Sequence, residues 1–341
     1  MHRHSSTVAR IASRILVGAA FIGGLSTPVL AQVTELKVGH FLPPNHTFHK
    51  FMTAWGAQLE KESGGKLKIA IYPAGQLGGG ANRQFDSARN GVVDIAISTH
   101  GATPGRYPMT ELVSLPFVSP ATGATSAVMS RRLTELSAQY LAKEHEGLKP
   151  LFLAVTSPLK VHSITPILKV EDLKGKKIRF QGIQLKNVID VVGAVPVPVP
   201  PPETQDALSK GIVDAATFPH EGAASFDLGT VVKYSLEPGI SSATFAVVMN
   251  PAKYESLAPE LKALIDKTTG AAAAEAFGAA WDKAELEGKE SMTAKGVKQN
   301  TLESAELAKF KSLVAPQVEA ALVALEAKGA PARAFYAAYL K

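Results

Sequence analysis

The 341-residue chain contains no cysteine. Disulfides, thiolate nucleophiles and cysteine-ligated metals are therefore excluded. A domain of this size can build its core without covalent staples. Other signatures are missing as well. There is no P-loop, no G-x-G-x-x-G after a strand and no H-E-x-x-H. Gly239-Ile240-Ser241-Ser242-Ala243 comes nearest to a nucleophile elbow, but it lacks the final glycine and precedes a strand. His46-x-x-His49 has no third ligand at helical spacing, so no metal is expected. These gaps argue against an enzyme and against any cofactor. Strong charge is lacking too: half of the formal net charge of +6 comes from Arg3, Arg10 and Arg14. The remainder is too mild and too dispersed for a nucleic-acid partner. The apolar run from Ile15 to Leu25 is shorter than the roughly 20 residues that cross a bilayer.

That run has a different reading. A basic segment without acids precedes it, and Pro28-Val29-Leu30-Ala31 offers a small-residue cleavage site. This is the pattern of a secretory signal, cleaved near Ala31, that exports the chain to a bacterial periplasm. About 310 residues remain, enough for two domains.

What the chain does contain is one phrase written twice. Residues 86–96 read DSARNGVVDIA and residues 206–216 read DALSKGIVDAA. Both fit D-x-x-x-x-G-x-V-D-x-A, a helix end, a glycine cap and a buried strand. Around the first copy, strands at Glu35–Phe41, Leu67–Tyr72 and Val92–Ser98 alternate with helices near 47–63 and 82–90. Around the second, strands at Lys176–Gln181, Val195–Val199 and Ile212–Phe218 alternate with helices near 185–192 and 203–210. The alternation predicts α/β structure in two similar lobes around a hinged cleft. The proline run near 196–202 reads as a strand entering a turn, with a polyproline linker as the alternative. A helix is expected from about Pro120 to Glu144. Ala243–Met249 is a strand that returns to the first lobe. A single helix over 259–295 is expected, weakened by Gly270, Gly278 and Gly288, followed by helices near 303–328 and 331–340. Crossings near 155 and 242 divide the chain into lobe 1 (32–155 plus about 243–280) and lobe 2 (156–242 plus about 281–341).

Ligands of open α/β sheets lie beyond the carboxyl ends of strands. The two copies end in Ser98-Thr99-His100 and Phe218-Pro219-His220, which should face one cleft. Arg179 sits between Ile178 and Phe180 near the end of its strand. A buried guanidinium there can grip a carboxylate with paired hydrogen bonds, whereas the lysines of 174–177 read as a solvated edge. Phe41 ends the first strand, and His46 opens the first helix, where free N–H groups suit an anion. His46, His100 and His220 read first as loop or capping residues and second as donors to a ligand.

Tyr72-Pro73-Ala74-Gly75-Gln76-Leu77-Gly78, Gly91–Asp94, Leu115-Pro116-Phe117, the L-K-G-K-K-I-R segment at Leu173–Arg179, and P-P-P-E with G-I-V-D from Pro200 to Asp214 occur in one order. Together they resemble the DctP-type solute-binding proteins of tripartite ATP-independent periplasmic (TRAP) transporters. The resemblance implies a periplasmic-binding-protein-like fold with a long helix spanning both lobes. It implies capture of an organic acid and delivery to a small and a large membrane subunit. It places the carboxylate-binding arginine at Arg179. Sialic-acid-type relatives carry a second arginine where Leu159 stands, with Lys160 as the neighbouring candidate, and an asparagine where Phe218 stands. The expected site is therefore Arg179, Phe218, His220, His46, Thr99, Phe41, Leu159 and Phe180, in a monomer. Phe41, Phe180, Phe218 and Phe245 read as an aromatic wall, or as ordinary core. The wall suits a monocarboxylate with an apolar or aromatic body, such as a benzoate-, phenylacetate- or cinnamate-like acid, with a branched or hydroxylated aliphatic acid as the alternative. A binding protein for an ATP-driven importer or a sensor is the alternative, and a periplasmic enzyme a more distant one.

Overall fold

In the computed structural model the described residues are 33–118 and 124–341. The expected leader with its cleavage site near Ala31, and residues 120–123 of the helix expected from about Pro120, lie outside them. In chain order the elements are β1 (Thr34–His40), α1 (Thr47–Glu62), β2 (Leu67–Tyr72), α2 (Gln84–Arg89), β3 (Ile95–Thr99), α3 (Ser126–Tyr140), β4 (Lys149–Val155) and β5 (Leu159–Ser163). There follow β6 (Lys177–Phe180), α4 (Ile183–Val191), β7 (Val195–Pro198), α5 (Thr204–Ser209), β8 (Ala215–Phe218), α6 (His220–Ser225), β9 (Tyr234–Ser241) and β10 (Thr244–Met249). The chain closes with α7 (Pro251–Glu255), α8 (Pro259–Thr268), α9 (Gly270–Ala294), β11 (Lys298–Thr301), α10 (Ser304–Val314), α11 (Pro316–Glu326) and α12 (Ala332–Leu340).

Two sheets carry the fold, ordered β2-β1-β3-β10-β4 and β7-β6-β8-β5-β9-β11. Each begins with three parallel strands in the same winding, and an antiparallel strand then packs against the third. In the first sheet that strand is β10, and in the second it is β5. The chain therefore passes between sheets after Val155 and again after Ser241. β10 shows why it belongs inside a sheet. All six of its residues are buried. Phe245, Val247 and Met249 enter the core on one face, and Ala246 and Val248 enter the core on the other. A strand's side chains alternate in this way, and each large one fully buried contributes about 1.5–3 kcal/mol.

The terminal helices differ from expectation. The stretch 259–295 is two helices, because Thr269 is extended between α8 and α9. Pro316 opens α11 and so divides the expected 303–328 helix. α3 is shorter than 120–144, beginning at Ser126 after a Thr125 cap. β9 was not apparent in the sequence because Glu237-Pro238-Gly239 reads as a turn, and β11 (KQNT) has no apolar residue. β11 becomes a strand only by pairing with β9.

α9 joins the two halves. Asp282 accepts the N–H groups of Ser126 and Ala127 at 2.8 and 3.2 Å, at the start of α3. One turn on, Glu285 accepts those of His220 and Glu221, both at 3.0 Å, at the start of α6. Its glycines permit this approach: a Cβ on Gly278 would lie 2.4 Å from the Ala127 backbone, and one on Gly288 would lie 2.7 Å from that of His220. The helix propensity lost at these glycines is offset by close packing.

Candidate functional site

Arg179 is 1% exposed, on β6. Its Nε donates to the Val199 carbonyl at 3.0 Å and Nη1 to the Thr217 carbonyl at 2.9 Å. The guanidinium carbon lies 4.1 Å from the centre of the Phe218 ring. These contacts orient the guanidinium plane. Among the described residues, Nη2 has no hydrogen-bond partner and no carboxylate pairs with the group. Burial without an anion pushes its pKa down to about 9, so it stays cationic at neutral pH. A buried, unpaired cation is costly, and a ligand carboxylate would remove that cost.

The chamber in front of Arg179 is largely aromatic. Phe41, Leu159, Phe218, Phe245 and Trp281 line its inner part. Phe41 and Phe245 lie nearly parallel, with centroids 6.5 Å apart and planes at 8°. Arg179 and Phe41 also line the mouth, a cavity of about 480 Å3 that includes Phe180 and the turn Pro198–Glu203. The mouth is walled by Gly80–Asn82 and Gly101 from one half and by Arg179–Gly182 from the other. A planar apolar body with one carboxylate matches this lining.

The sequence profile of the bacterial extracellular solute-binding proteins, family 7 (DctP), matches residues 38–323. The chain belongs to this family. It is 28% identical over 255 residues to the 2,3-diketo-L-gulonate-binding periplasmic protein YiaO of Escherichia coli, covering 73% of this chain and 76% of that one. A TRAP solute-binding protein from Rhodoferax ferrireducens, solved with copurified benzoate, superposes with a TM-score of 0.85 at 29% identity, covering 90% of this chain and 97% of that one. A marine-metagenome TRAP solute-binding protein specific for aromatic acid ligands, co-crystallized with 3-hydroxybenzoate, gives 0.85 at 31% identity, covering 91% and 97%. The two-lobed α/β fold of the DctP family is thus the fold of this chain.

In this DctP-family protein the expected site residues separate into groups. Arg179, Phe218, Phe41, Leu159 and His46 meet at the inner chamber, and Phe180 lies at its mouth. His46 takes the capping role, the first of its two readings, as the N-cap of α1. Its Nδ1 accepts the Phe48 N–H at 3.2 Å and its Nε2 faces Glu221 at 3.4 Å. Nδ1 is thus used in capping α1 and Nε2 lies toward Glu221, and burial pulls its pKa down despite Glu221. His220 lines neither the chamber nor its mouth. As the first residue of α6 it turns toward β9, with Nε2 3.0 Å from Glu237 and its ring on His162. Lys160, the alternative cation, is buried in a 2.5 Å pair with Glu285 of α9. Thr99 lines a smaller adjoining cleft. Trp281, Phe226 and Gln181 were not anticipated. Gln181 was legible as the residue next to Phe180, whereas Trp281 reads only as one apolar position on a long helix.

Proposed function

We propose that this protein captures an organic acid, a monocarboxylate with an aromatic or apolar body, and delivers it from the periplasm to the membrane subunits of a TRAP transporter. The observation that carries this reading is the buried Arg179 guanidinium, stacked on Phe218 and with no carboxylate partner among the described residues, facing a chamber of Phe41 and Phe245. Relatives of the same fold that hold benzoate and 3-hydroxybenzoate support it. The lobes are 32–155 with about 243–280, and 156–242 with about 281–341. The acid touches both, so binding favours their closure. The leader is removed near Ala31, and the mature protein acts as a monomer that binds without turnover.

A thermal-shift and calorimetric screen tests this. Benzoate, phenylacetate or cinnamate should raise the melting midpoint, by linkage, and be recovered unchanged. Succinate should not. Arg179→Ala should weaken binding by about 3–5 kcal/mol, more than a hundredfold. Unchanged affinity in that variant, or no response to any aromatic acid, would overturn the reading.

A further inference from the structure

A cleft beside the Arg179 chamber carries polar groups that carboxylate capture does not use. Thr99, Glu111 and Ser114 line it from one half, and Gln181, Gly182 and Gln184 from the other. It is continuous with the ligand site in two ways. Gln181 lines the cleft, the chamber and the mouth alike. Thr99 is also paired across β3 and β10 with Phe245 of the chamber wall. The halves touch here, since a Cβ on Gly101 would lie 3.0 Å from the Gly182 backbone. The cleft has about the room of one water-sized group.

Two of its buried side chains have polar atoms that lack a full set of partners. Thr99 is 1% exposed and Glu111 2%; the Thr99 hydroxyl has no hydrogen-bond partner among the described residues, and the Glu111 carboxyl, with two acceptor oxygens, is approached by the Gly105 N–H from outside the cleft. The nearby Glu144 has no donor to offer, because it accepts from the Met109 and Thr110 N–H groups and from the Thr110 hydroxyl. Buried polar atoms left unpaired cost about 1–3 kcal/mol each and are uncommon in native proteins. A donor arriving with the ligand would remove that cost, whereas a second carboxylate would meet like charge.

We propose that Thr99 and Glu111 are specificity-determining residues that accept a hydrogen bond from a hydroxyl or amino group on the body of the acid held by Arg179. The proposal rests on the Arg179 reading and names the substrate class more narrowly: a hydroxylated or aminated aromatic monocarboxylate. The test is the ratio of affinities, by calorimetry on the mature protein, for 3-hydroxybenzoate, 4-hydroxybenzoate and 3-aminobenzoate relative to benzoate. At least one substituted acid should bind roughly tenfold tighter, and Thr99→Val and Glu111→Leu should each draw that ratio toward one. The two variants are read independently, so loss of folding in one leaves the other to decide. Equal affinities in the wild type, or a ratio that neither variant moves, would overturn the proposal while leaving Arg179 capture intact. Failure of all four acids to bind would instead remove the Arg179 reading and this one with it.

Discussion

Asp94 and Asp214 end the two copies of the repeated phrase in the same manner: each carboxylate accepts the N–H of the neighbouring strand, from Lys37 and Lys177, at 2.8 Å. The glycines before them are left-handed in both copies, Gly91 at φ 73° and Gly211 at φ 65°. Beyond the phrase the copies part. β3 runs into Thr99 and His100, and His100 is buried against Thr244 at 3.0 Å and His145 at 3.1 Å. β8 runs into Phe218, whose ring supports Arg179, and then into α6, capped by Glu285. The repeat builds two equivalent scaffolds. The residues just after it give one wall polar atoms and the other an aromatic face beneath a cation.

The sharpest way to break this comparison is at α9. Glu285→Ala removes the cap of α6 and strands buried Lys160, so it should destabilise by about 3–5 kcal/mol in urea unfolding. Asp282→Ala removes only the α3 cap and should cost about 1–2 kcal/mol. Equal losses would show that the two caps, one turn apart on α9, are not distinct.

Titration distinguishes the walls next. Burial, aided by Glu144, pushes the Glu111 carboxyl up to about 7 from 4.5. The stability this contributes is complete below pH 4.5 and is lost as pH rises through 7, on the order of 3 kcal/mol. Glu111→Gln should therefore gain most above pH 7. His162, on the second sheet, is held at about 3 by burial. Its contribution is present above pH 6.5 and is lost as pH falls toward 3. The two slopes oppose each other between about pH 4.5 and 6.5, so the Glu111 term is read as a difference: the gain of Glu111→Gln over wild type in melting midpoint should grow from pH 4.5 to 7 and stay level above, and a gain that does not change with pH would refute it.

The smaller effects test the equivalence of the repeats. Asp94→Ala and Asp214→Ala should each cost about 1.5–3 kcal/mol and agree to within about 1 kcal/mol, since each removes one charge-assisted bond and the further contact of Asp94, with partly exposed Lys253 at 3.8 Å, is weak. Unequal losses would mean that the repeats carry different loads. Asp206→Ala should cost no more than about 0.5 kcal/mol, because its partner Lys210 is a surface neighbour on one helix turn.

The elements around the repeats were legible in the sequence because their signals are local. Apolar alternation, glycine caps and prolines act within a few residues. Arg179 was legible for the same reason: an arginine between Ile178 and Phe180 near a strand end is conspicuous. β11 was not legible, since nothing in Lys298–Thr301 favours a strand until β9 lies beside it. The break at Thr269 was not legible either.

By itself, the sequence determined the two α/β windings, their shared phrase and the cation at the end of β6. Only the tertiary structure decided which polar groups remained available. Lys160 meets Glu285 from 125 residues away, and Thr47, beside His46, meets Glu221 from 174 away. His220 turns to Glu237, whereas the Thr99 hydroxyl meets no partner among the described residues. Hydrogen-bond partners are set by proximity in space and not along the chain, so a residue's type can nominate it for a site but cannot show whether the fold has already used it.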